Sequence, residues 1–311
     1  MRKATLATVA KEAGVSVPTV SQVMRGTGRI SEKTRQEVLK AARKLNYVPD
    51  SRAASMRSGQ SHEIGFVIHQ IANPFNAEVI SGVSDLLDSE GFLLSVLDAR
   101  DDADRQSRHL DAFIRHARGG LLWVPAVETD AETIEMLRVH AIPTVTFLRR
   151  PPGSTFDHVG IRNTEATAAA TAHLANLGHQ RIAYLGGLAM TQVRKERIAG
   201  YEAVLRDRDL SAPVIWDSED TKRAALESMT ALHAAHPEVT AVVCNGDMVA
   251  LGASLAIARM GLRPGDDFSI IGFDDIEDAA VATPPLTTMA VRPYQLGRRL
   301  ARILLDRLGD P

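Results

Sequence analysis

Residues 5–24 read TLATVAKEAGVSVPTVSQVM, in which two short helical patterns meet at a glycine. Apolar residues recur at helical spacing over residues 6–13, and Thr5 precedes them as a helix cap. Gly14 suits the left-handed backbone position that ends a helix, and Ser16 caps the next helix. The stretch therefore predicts two helices joined by a three-residue turn, which is the helix-turn-helix motif.

The second helix of this motif is predicted to read DNA. A helix-turn-helix holds the N-terminal side chains of its second helix out toward the major groove. The candidate readers on that helix are Val17, Pro18, Thr19, Ser21 and Gln22. Gln22 can bond an adenine edge through two hydrogen bonds and Ser21 a base or a phosphate, whereas the two residues that open the helix offer only apolar contact to a thymine methyl.

Charge is divided unevenly along the chain. Residues 1–60 hold 12 Lys and Arg against 4 Asp and Glu, a net charge of +8, although the whole chain has a net charge of −2. A basic segment attached to an acidic body is typical of a module that binds a polyanion. Ser31 caps a third helix with one basic face, and we expect Ser31, Thr34 and these cations to hold the DNA backbone.

The rest of the chain alternates short apolar runs with helical segments, which predicts an α/β fold with doubly wound, mostly parallel sheets. The predicted strands are residues 64–68, 93–97, 120–124, 144–147, 158–161, 181–185, 214–216, 241–244 and 269–273. A break rich in Pro and Gly near residues 149–157 divides them into two similar halves. We therefore expect a ligand cleft between the halves, beyond the carboxyl ends of the strands.

Polar residues follow several of these strands and are the candidate ligands of that cleft. Asn73 to Asn76 follow the first strand, Asn245 to Asp247 follow the eighth, and Asp274 with Asp275 follow the ninth. Carboxylates and amides bind hydroxyl groups in directed pairs, and an aromatic ring such as that of Phe75 covers an apolar ring face. Asn163 is predicted to be a helix cap, and Cys244 a small buried hydrophobe.

Motifs along nearly the whole chain resemble the LacI family of bacterial transcription regulators. In the basic segment they are Thr5-Leu6, Val9-Ala10, Ala13 to Ser16, Thr19 to Ser21, Ile30-Ser31, Thr34-Arg35 and Leu45 to Pro49. In the body they are Gly178 to Gly186, Arg197 to Tyr201, Asp247, Ala250 to Gly252, Gly272 to Asp275 and Pro284 to Thr288. The resemblance implies an operator-binding headpiece joined to a domain that senses a small molecule.

What the resemblance implies can be placed on this sequence residue by residue. Residues 49–60 correspond to a hinge helix that folds on DNA, in which Met56, one turn after Ala53, wedges into the minor groove. The predicted DNA contacts are Leu6, Ser16, Val17, Pro18, Thr19, Ser21, Gln22, Arg25, Ser31, Thr34, Ala53 and Met56. The predicted effector contacts are Phe75, Asn76, Arg197, Asn245 and Asp274. Without the family pattern, Arg197 is better interpreted as an exposed helix arginine.

The implied domain organisation is an all-α headpiece, a linker and a body that resembles periplasmic binding proteins. The headpiece covers residues 1–48 and the hinge residues 49–60. The effector-binding and dimerisation domain covers residues 61–311. Its two subdomains are expected at about residues 61–156 and 157–285, with residues 286–311 crossing back to the first.

Four positions depart from the family pattern. Gln22 replaces a usual arginine, so the operator cannot be copied from relatives, and Leu148 replaces an aspartate that is frequent in sugar-responsive members. Asn76 replaces a frequent aromatic residue and Gly246 a frequent asparagine. Arg149 could bind an acid group, so an acidic sugar is one possible effector. A purine nucleoside is disfavoured because Asn76 cannot stack on it. A few stretches are also somewhat similar to the maltose-regulon repressor branch.

Two other classes of function compete with a regulator. An enzyme is disfavoured because the chain has no P-loop, dinucleotide-binding, nucleophile-elbow or zinc-protease motif, so no catalytic residue, cofactor or metal is predicted. A transport-binding protein would need an export signal and would have no use for a headpiece. The sequence shows neither a secretory segment nor an apolar span, so we expect a cytoplasmic protein that does not enter a membrane.

The expected assembly is a homodimer whose two headpieces read the half-sites of a pseudopalindromic operator. Effector binding between the half-domains, with a sugar as the expected effector, would shift the hinge equilibrium. Both an inducer and a corepressor fit this scheme. The family pattern implies a further strand after the last helix, but the sequence stops at Pro311. A naturally short tail and a truncated copy are both consistent with this.

Overall fold

The computed structural model describes residues 3–49, 61–116 and 119–309. The chain divides into two compact units, and the division falls after Ser61. We call residues 3–49 the headpiece and residues 62–309 the α/β unit. Each of the two has a hydrophobic core of its own.

The headpiece consists of three short helices. They are α1 (Leu6–Ala13), α2 (Val17–Met24) and α3 (Glu32–Lys44). The caps predicted from the sequence are confirmed, because the hydroxyls of Thr5, Ser16 and Ser31 each accept a backbone N–H of the first turn. Gly14 ends α1 at a φ of 67°, a conformation that glycine adopts without steric cost. Apolar side chains from all three helices form one small core around Val9, Val20 and Val38.

The α/β unit contains ten described strands in two parallel sheets. The strands are β1 (Glu63–Ile68), β2 (Leu93–Asp98), β3 (Gly120–Trp123), β4 (Thr144–Phe147), β5 (Asp157–Val159), β6 (Ile182–Leu185), β7 (Val214–Trp216), β8 (Ala241–Cys244), β9 (Ser269–Asp274) and β10 (Thr287–Ala290). The first sheet has the order β2-β1-β3-β4-β5 and the second β10-β9-β8-β6-β7. The predicted doubly wound α/β fold is therefore confirmed, and Cys244 is buried in β8.

Helices cover both sheets and define two lobes. The helices are α4 (Pro74–Ser89), α5 (Ala103–Arg115), α6 (Ala131–Val139), α7 (Asn163–Asn176), α8 (Gln192–Asp207), α9 (Lys222–Ala235), α10 (Asp247–Arg259), α11 (Glu277–Val281) and α12 (Pro293–Gly309). Lobe 1 comprises β1 to β5 with α4 to α6 and α12, and lobe 2 comprises β6 to β10 with α7 to α11. Ile276 and Ala279 of lobe 2 belong to the same hydrophobic cluster as Phe75 and Phe147 of lobe 1, so the lobes share part of a core.

The last helix returns from lobe 2 to lobe 1. It packs along α4 so closely that a Cβ on Gly82 would lie 2.0 Å from the carbonyl oxygen of Tyr294, and one on Gly297 would lie 2.1 Å from that of Val79. Glycine is therefore required at both contact points of these two helices. Leu300 and Leu304 of the last helix are fully buried in the core of lobe 1.

The structure differs from the sequence prediction at two strands. The predicted set lacked β10, whose four residues are all at least partly exposed because the strand lies at the edge of its sheet. Residues 157–159 pair with β4, with Val159 opposite Phe147, so this strand belongs to the first sheet. We expected those residues to open the second subdomain, and the first sheet instead extends slightly further along the chain.

Candidate functional site

A cavity of about 70 Å³ lies between the two lobes, beyond the carboxyl ends of strands from both sheets. Ligands of doubly wound sheets bind in this position. Its lobe 1 wall is formed by His69, Asn73, Phe75, Leu148, Arg149 and Ile161. Its lobe 2 wall is formed by Leu188, Thr191, Val193, Arg197, Asp220, Asn245, Gly246, Met248 and Asp274.

Arg197 is buried in the lobe 2 wall, with only 4% of its surface exposed. Its Nε donates a hydrogen bond of 2.9 Å to the side-chain oxygen of Asn163, and its Nη1 donates to the carbonyl oxygen of Asn245. The guanidinium carbon lies 3.6 Å from the centre of the Phe273 ring, within the range of a cation–π contact. The alternative interpretation of Arg197 as an exposed helix arginine is therefore wrong.

Asn163 holds Arg197 in place and does not cap a helix. It is the first residue of α7, where no side-chain cap hydrogen bond is made. Besides accepting from Arg197, its amide donates a hydrogen bond of 2.9 Å to Glu196. The cap prediction is wrong because Arg197, 34 positions further along the chain, competes for the same side chain.

The side chain of Asn245 joins Tyr184 of β6 to Asp220 of the lobe 2 wall. The Tyr184 hydroxyl donates a hydrogen bond of 2.8 Å to its side-chain oxygen. Its Nδ2 donates to both carboxylate oxygens of Asp220, at 3.0 and 3.2 Å. Burial raises the pKa of Asp220, and the bond from Asn245 and the charge of Arg197 partly oppose that rise. These contacts fix the amide of Asn245 so that it stays at the cavity.

Asp274 ends β9 in an unusual backbone conformation, with a φ of 120°, and Asp275 follows at 62°. Residues other than glycine rarely adopt such angles, and they persist where the surrounding structure holds them. Burial raises the pKa of Asp274 well above its ordinary value, although the charge of Arg197 opposes the rise. A buried carboxylate at this end of the cavity is suited to accept hydrogen bonds from ligand hydroxyls.

The buried carboxylate of Asp247 holds the chain that follows Asp274. It accepts a 2.6 Å hydrogen bond from the Thr288 hydroxyl and a 3.0 Å hydrogen bond from the backbone N–H of Ile276. Burial raises the pKa of Asp247 to about 6. A Cβ on Gly272 would lie 2.1 Å from this carboxylate, so glycine at position 272 leaves room for it.

The lobe 1 wall carries fewer polar groups. Phe75 lies at the cavity and its ring is parallel to that of Phe147, with 6.3 Å between the ring centres. Asn76 is not among the residues that line the cavity. Its amide donates a hydrogen bond of 2.6 Å to the carbonyl of Gln70, which turns it toward its own loop. Four of the five predicted effector contacts thus meet at one cavity.

Arg149 and His69 are the charged and titratable side chains of the lobe 1 wall among the described residues. The Nη1 of Arg149 donates to Asp101 at 2.5 Å and to the carbonyl of Pro125 at 3.2 Å. Burial and the nearby charge of Arg149 lower the pKa of His69 to about 4. Neither His69 nor Asp220 was predicted as a site residue, because neither belongs to a motif that local spacing distinguishes.

The headpiece exposes the start of α2, where the DNA readers were predicted. Val17 is 42% exposed, and Pro18 is exposed beside it. The Ser16 and Thr19 hydroxyls lie 2.8 Å apart, so part of their hydrogen-bonding capacity serves the cap of the helix. The start of α2 therefore presents two apolar groups and two hydroxyls to its surroundings.

The remaining predicted DNA contacts differ in exposure. Arg25 is exposed and its Nε donates to the carbonyl of Ser21 at 3.2 Å, whereas Leu6 packs partly against the headpiece core. Gln22 is half-buried, and a Cβ on Gly28 would lie 3.0 Å from its side-chain oxygen. Ser31 and Thr34 form a second pair of hydroxyls at the start of α3, also 2.8 Å apart. Ala53 and Met56 lie outside the described residues.

Comparisons with known proteins agree on one family. Residues 5–50 match the model of the bacterial regulatory proteins of the lacI family, and residues 171–311 match that of the periplasmic binding protein-like domain. The chain is 32% identical to the HTH-type transcriptional repressor PurR of Mannheimia succiniciproducens, over 98% of this chain and 92% of that protein. This chain belongs to the lacI family.

Other members of the lacI family give the same result. The maltose regulon regulatory protein MalI of Escherichia coli is 30% identical over 99% of this chain and 92% of its own length. A crystal structure of the Lac repressor dimer, bound to operator and to the anti-inducer ONPF, superposes with a TM-score of 0.86 at 26% identity, covering 99% of this chain and 93% of that one. Because PurR and MalI are almost equally similar, overall identity favours neither branch.

Membership of the lacI family makes the chain a DNA-binding transcriptional regulator, as the motifs predicted. Its headpiece is the helix-turn-helix of the family, and its α/β unit has the family's two parallel-sheet subdomains. No described helix is long and apolar enough to cross a membrane. Within the described parts of the chain, no group of three or more His, Cys, Asp or Glu is placed to hold a metal ion.

Proposed function

We propose that the chain is a homodimeric, cytoplasmic repressor, without catalytic activity, whose affinity for its operator is set by a sugar or a sugar derivative bound between the lobes. Residues 1–48 would bind DNA, residues 49–60 would form the hinge, and residues 61–311 would bind the effector and dimerise. The observation that carries this proposal is the cavity between the lobes, whose walls combine directed polar groups with an aromatic ring.

The chemistry of the cavity suits a polyhydroxylated ligand. Asp274 and Asp220 offer carboxylate oxygens to hydroxyl groups, and Arg197 lies beside them as a donor. Phe75 presents an apolar ring surface on the opposite lobe. A sugar has hydroxyls in its ring plane and C–H groups on its faces, so it matches polar groups combined with an aromatic ring.

The position of the cavity supports control of DNA binding. A ligand that contacts Phe75 on lobe 1 and Arg197 on lobe 2 bridges the lobes, and it stabilises the arrangement of lobes that it fits best. An inducer is a ligand that favours the arrangement with low affinity for operator, and a corepressor favours the DNA-bound one. The direction of control follows from whether the ligand releases or strengthens the complex with operator.

A purine nucleoside is the second candidate effector. The sequence-based objection to it was that Asn76 cannot stack on a base. Asn76 is turned toward Gln70 and Phe75 lies at the cavity instead, so that objection no longer applies. A ligand screen should therefore contain purine nucleosides beside sugars.

The proposal is tested by selecting DNA with the full-length protein. We expect it to enrich a pseudopalindromic duplex from a random pool, because a dimer reads two half-sites. A fluorescent copy of that duplex is then titrated with protein in the presence of single sugars and nucleosides. Deletion of residues 1–58 is the control, and it should abolish DNA binding while ligand-induced thermal stabilisation persists. Unchanged DNA affinity after this deletion would contradict the headpiece assignment.

A further inference from the structure

The two walls of the cavity differ in charge. On lobe 2, the carboxylates of Asp220 and Asp274 face the cavity beside Arg197. On lobe 1, Arg149 is the cation among the described lining residues, and no carboxylate of that lobe lines the cavity. Asp101 pairs with Arg149 but is not part of the lining. A ligand in this cavity therefore meets a cation on one side and acceptors of hydroxyl groups on the other.

The guanidinium of Arg149 is anchored through one of its ends. Both of its hydrogen bonds, to Asp101 and to the carbonyl of Pro125, are made by Nη1. Its Nε and Nη2 have no hydrogen-bond partner among the described residues, although only 12% of the side chain is exposed. These two nitrogens form the side edge of the guanidinium, whose parallel N–H groups match the two oxygens of a carboxylate.

The neighbouring groups of the cavity leave that edge available. Asp220 lies close enough for the charge of Arg149 to lower its pKa, but its carboxylate is hydrogen-bonded by the Asn245 amide within its own lobe. Arg197 is held by Asn163 and by the carbonyl of Asn245, and it stacks on a ring. Of the two arginines, only Arg149 keeps a whole Nε–Nη2 edge without a hydrogen bond among the described residues, because the Nε of Arg197 already donates to Asn163.

We propose that the effector is a monosaccharide acid, an aldonate or a uronate, whose carboxylate binds the Nε–Nη2 edge of Arg149 while its hydroxyls bind Asp274 and Asp220. This inference rests on the proposed function and names the chemical class of its ligand. Anchoring of Arg149 by Nη1 holds the guanidinium in place before the ligand arrives, which reduces the entropy lost on binding.

Two observations favour a single carboxylate on one ring over a phosphate or a longer sugar. Because burial and Arg149 hold the pKa of His69 at about 4, His69 is neutral at pH 7 and adds no second cation to the lobe 1 wall. The lining holds two arginines, Arg149 and Arg197, and two carboxylates, Asp220 and Asp274. With so little excess positive charge, the cavity suits a singly charged anion better than a doubly charged one. In this arrangement of the lobes, the cavity volume of about 70 Å³ leaves no room for an oligosaccharide.

The test uses the full-length protein and measures binding by calorimetry at pH 7. The probes are D-gluconate, D-glucuronate and D-galacturonate, each compared with its neutral parent sugar and with the corresponding sugar 6-phosphate. We expect an acid to bind most tightly. Arg149→Gln should weaken its binding by about 100-fold, because a hydrogen-bonded charge pair is lost. Arg149→Lys keeps a charge near Asp101 and should weaken it by about 10-fold, because the two parallel donors are lost.

Arg150→Gln is the matched control, because Arg150 is exposed and does not line the cavity. It should change the affinity less than about 2-fold, as ordinary surface substitutions do. Arg149→Gln leaves Asp101 without its ion pair, so circular dichroism must first show that this variant is folded. If the variant is unfolded, the test rests on Arg149→Lys. Acid affinity that survives in these folded variants, or tighter binding of a neutral sugar or a phosphate by the wild type, overturns the inference.

Failure of the inference is distinguishable from failure of the proposed function. A neutral sugar that binds the wild type and changes its affinity for operator overturns the acidic effector but supports sugar control of a regulator. If no probe changes operator binding, and the acids do not bind, both are contradicted. An acid that binds through Arg149 without any effect on operator binding supports the ligand class and contradicts the control of DNA binding.

Discussion

The two walls of the effector cavity are built in different ways. On lobe 2 the polar side chains bond to one another, so that Asn163, Arg197, Asn245, Asp220 and Tyr184 form one connected network. On lobe 1 the polar groups are few. Arg149 is held there by two hydrogen bonds from its Nη1, and its Nε–Nη2 edge has no partner among the described residues. We therefore expect the lobe 2 wall to be held in place before a ligand arrives, whereas the free edge of Arg149 on lobe 1 is the group proposed to distinguish an acidic ligand from a neutral one.

This difference concerns energy as well as geometry. Buried polar groups that are fully hydrogen-bonded are stabilising as a set, whereas removing one member leaves the others unsatisfied at a cost. Substitutions on the lobe 2 wall should therefore lower both stability and ligand affinity. Substitutions on the lobe 1 wall should separate the two properties. Four predictions sharpen or break this comparison.

The largest effect is expected from Arg197→Met. The variant removes the buried cation that partly balances Asp274 and Asp220, and it leaves Asn163 and the carbonyl of Asn245 without their donor. Unfolding in urea should show a loss of about 4 kcal/mol, because buried carboxylates lose the nearby charge that compensates them. Arg206→Met on the exposed face of α8 is the control, and an equal loss there would contradict a network effect.

Gly272→Ala should cost about 3 kcal/mol, the upper range for overpacking a buried site. Its Cβ would lie 2.1 Å from the Asp247 carboxylate, which cannot move without releasing Thr288 and Ile276. Displacement of that chain should also move Asp274 and weaken effector binding. Urea denaturation with calorimetry measures both effects. Gly309→Ala meets nothing within 4 Å and should leave both unchanged. Full stability of the Gly272 variant would contradict a rigid lobe 2 wall.

His69→Gln tests the lobe 1 wall through pH. The pKa of His69 is lowered from 6.5 to about 4, first by burial and then by Arg149, so the folded state keeps this side chain neutral. Below pH 6.5 the unfolded chain takes up a proton that the folded chain does not, and stability falls as the pH drops toward 4. Between pH 7 and pH 5 this loss is about 2 kcal/mol.

The wild type should therefore lose about 2 kcal/mol more than His69→Gln over that pH range, as measured by urea denaturation at both values. The exposed His140, replaced by Gln, is the control and should follow the wild type. Parallel pH curves for the wild type and His69→Gln would show that His69 is not held neutral by the fold.

The smallest effect is expected from Tyr184→Phe. It removes the hydroxyl that donates to Asn245 and leaves a buried acceptor, at a cost of about 1.5 kcal/mol. Thermal denaturation measures the loss, and ligand affinity should fall only a few-fold because Asn245 keeps its contact with Asp220. Tyr294→Phe loses a hydrogen bond at the surface, to Asp85, and should cost less. An equal cost at both positions would argue against a connected network on lobe 2.

Features that depend on neighbours in sequence were predictable. The caps at Thr5, Ser16 and Ser31 act within four residues of themselves, and buried strands such as β6 and β8 read as continuous apolar runs. The edge strand β10 was missed because its half-exposed residues leave no such run.

The site was predictable only in part, because its geometry depends on distant partners. Asn163 is 34 positions from Arg197, and Asp220 is 25 positions from Asn245. Local periodicity contains no information on such pairs. Arg197 and Asp274 were found through the family pattern, whereas Asp220 follows a short, partly exposed strand with no motif around it.

The path of the last helix has a consequence for the order of folding during synthesis. Lobe 2 is built from one continuous stretch, so it can close as soon as that stretch leaves the ribosome. Lobe 1 is made first, yet α4 has no partner at Gly82 until residues 293–309 emerge. Nascent chains generally fold in the order in which they are made. Lobe 1 is nearer the N-terminus but is completed only after lobe 2 has been made. The core of lobe 1 is therefore the part that a chaperone would need to protect during synthesis.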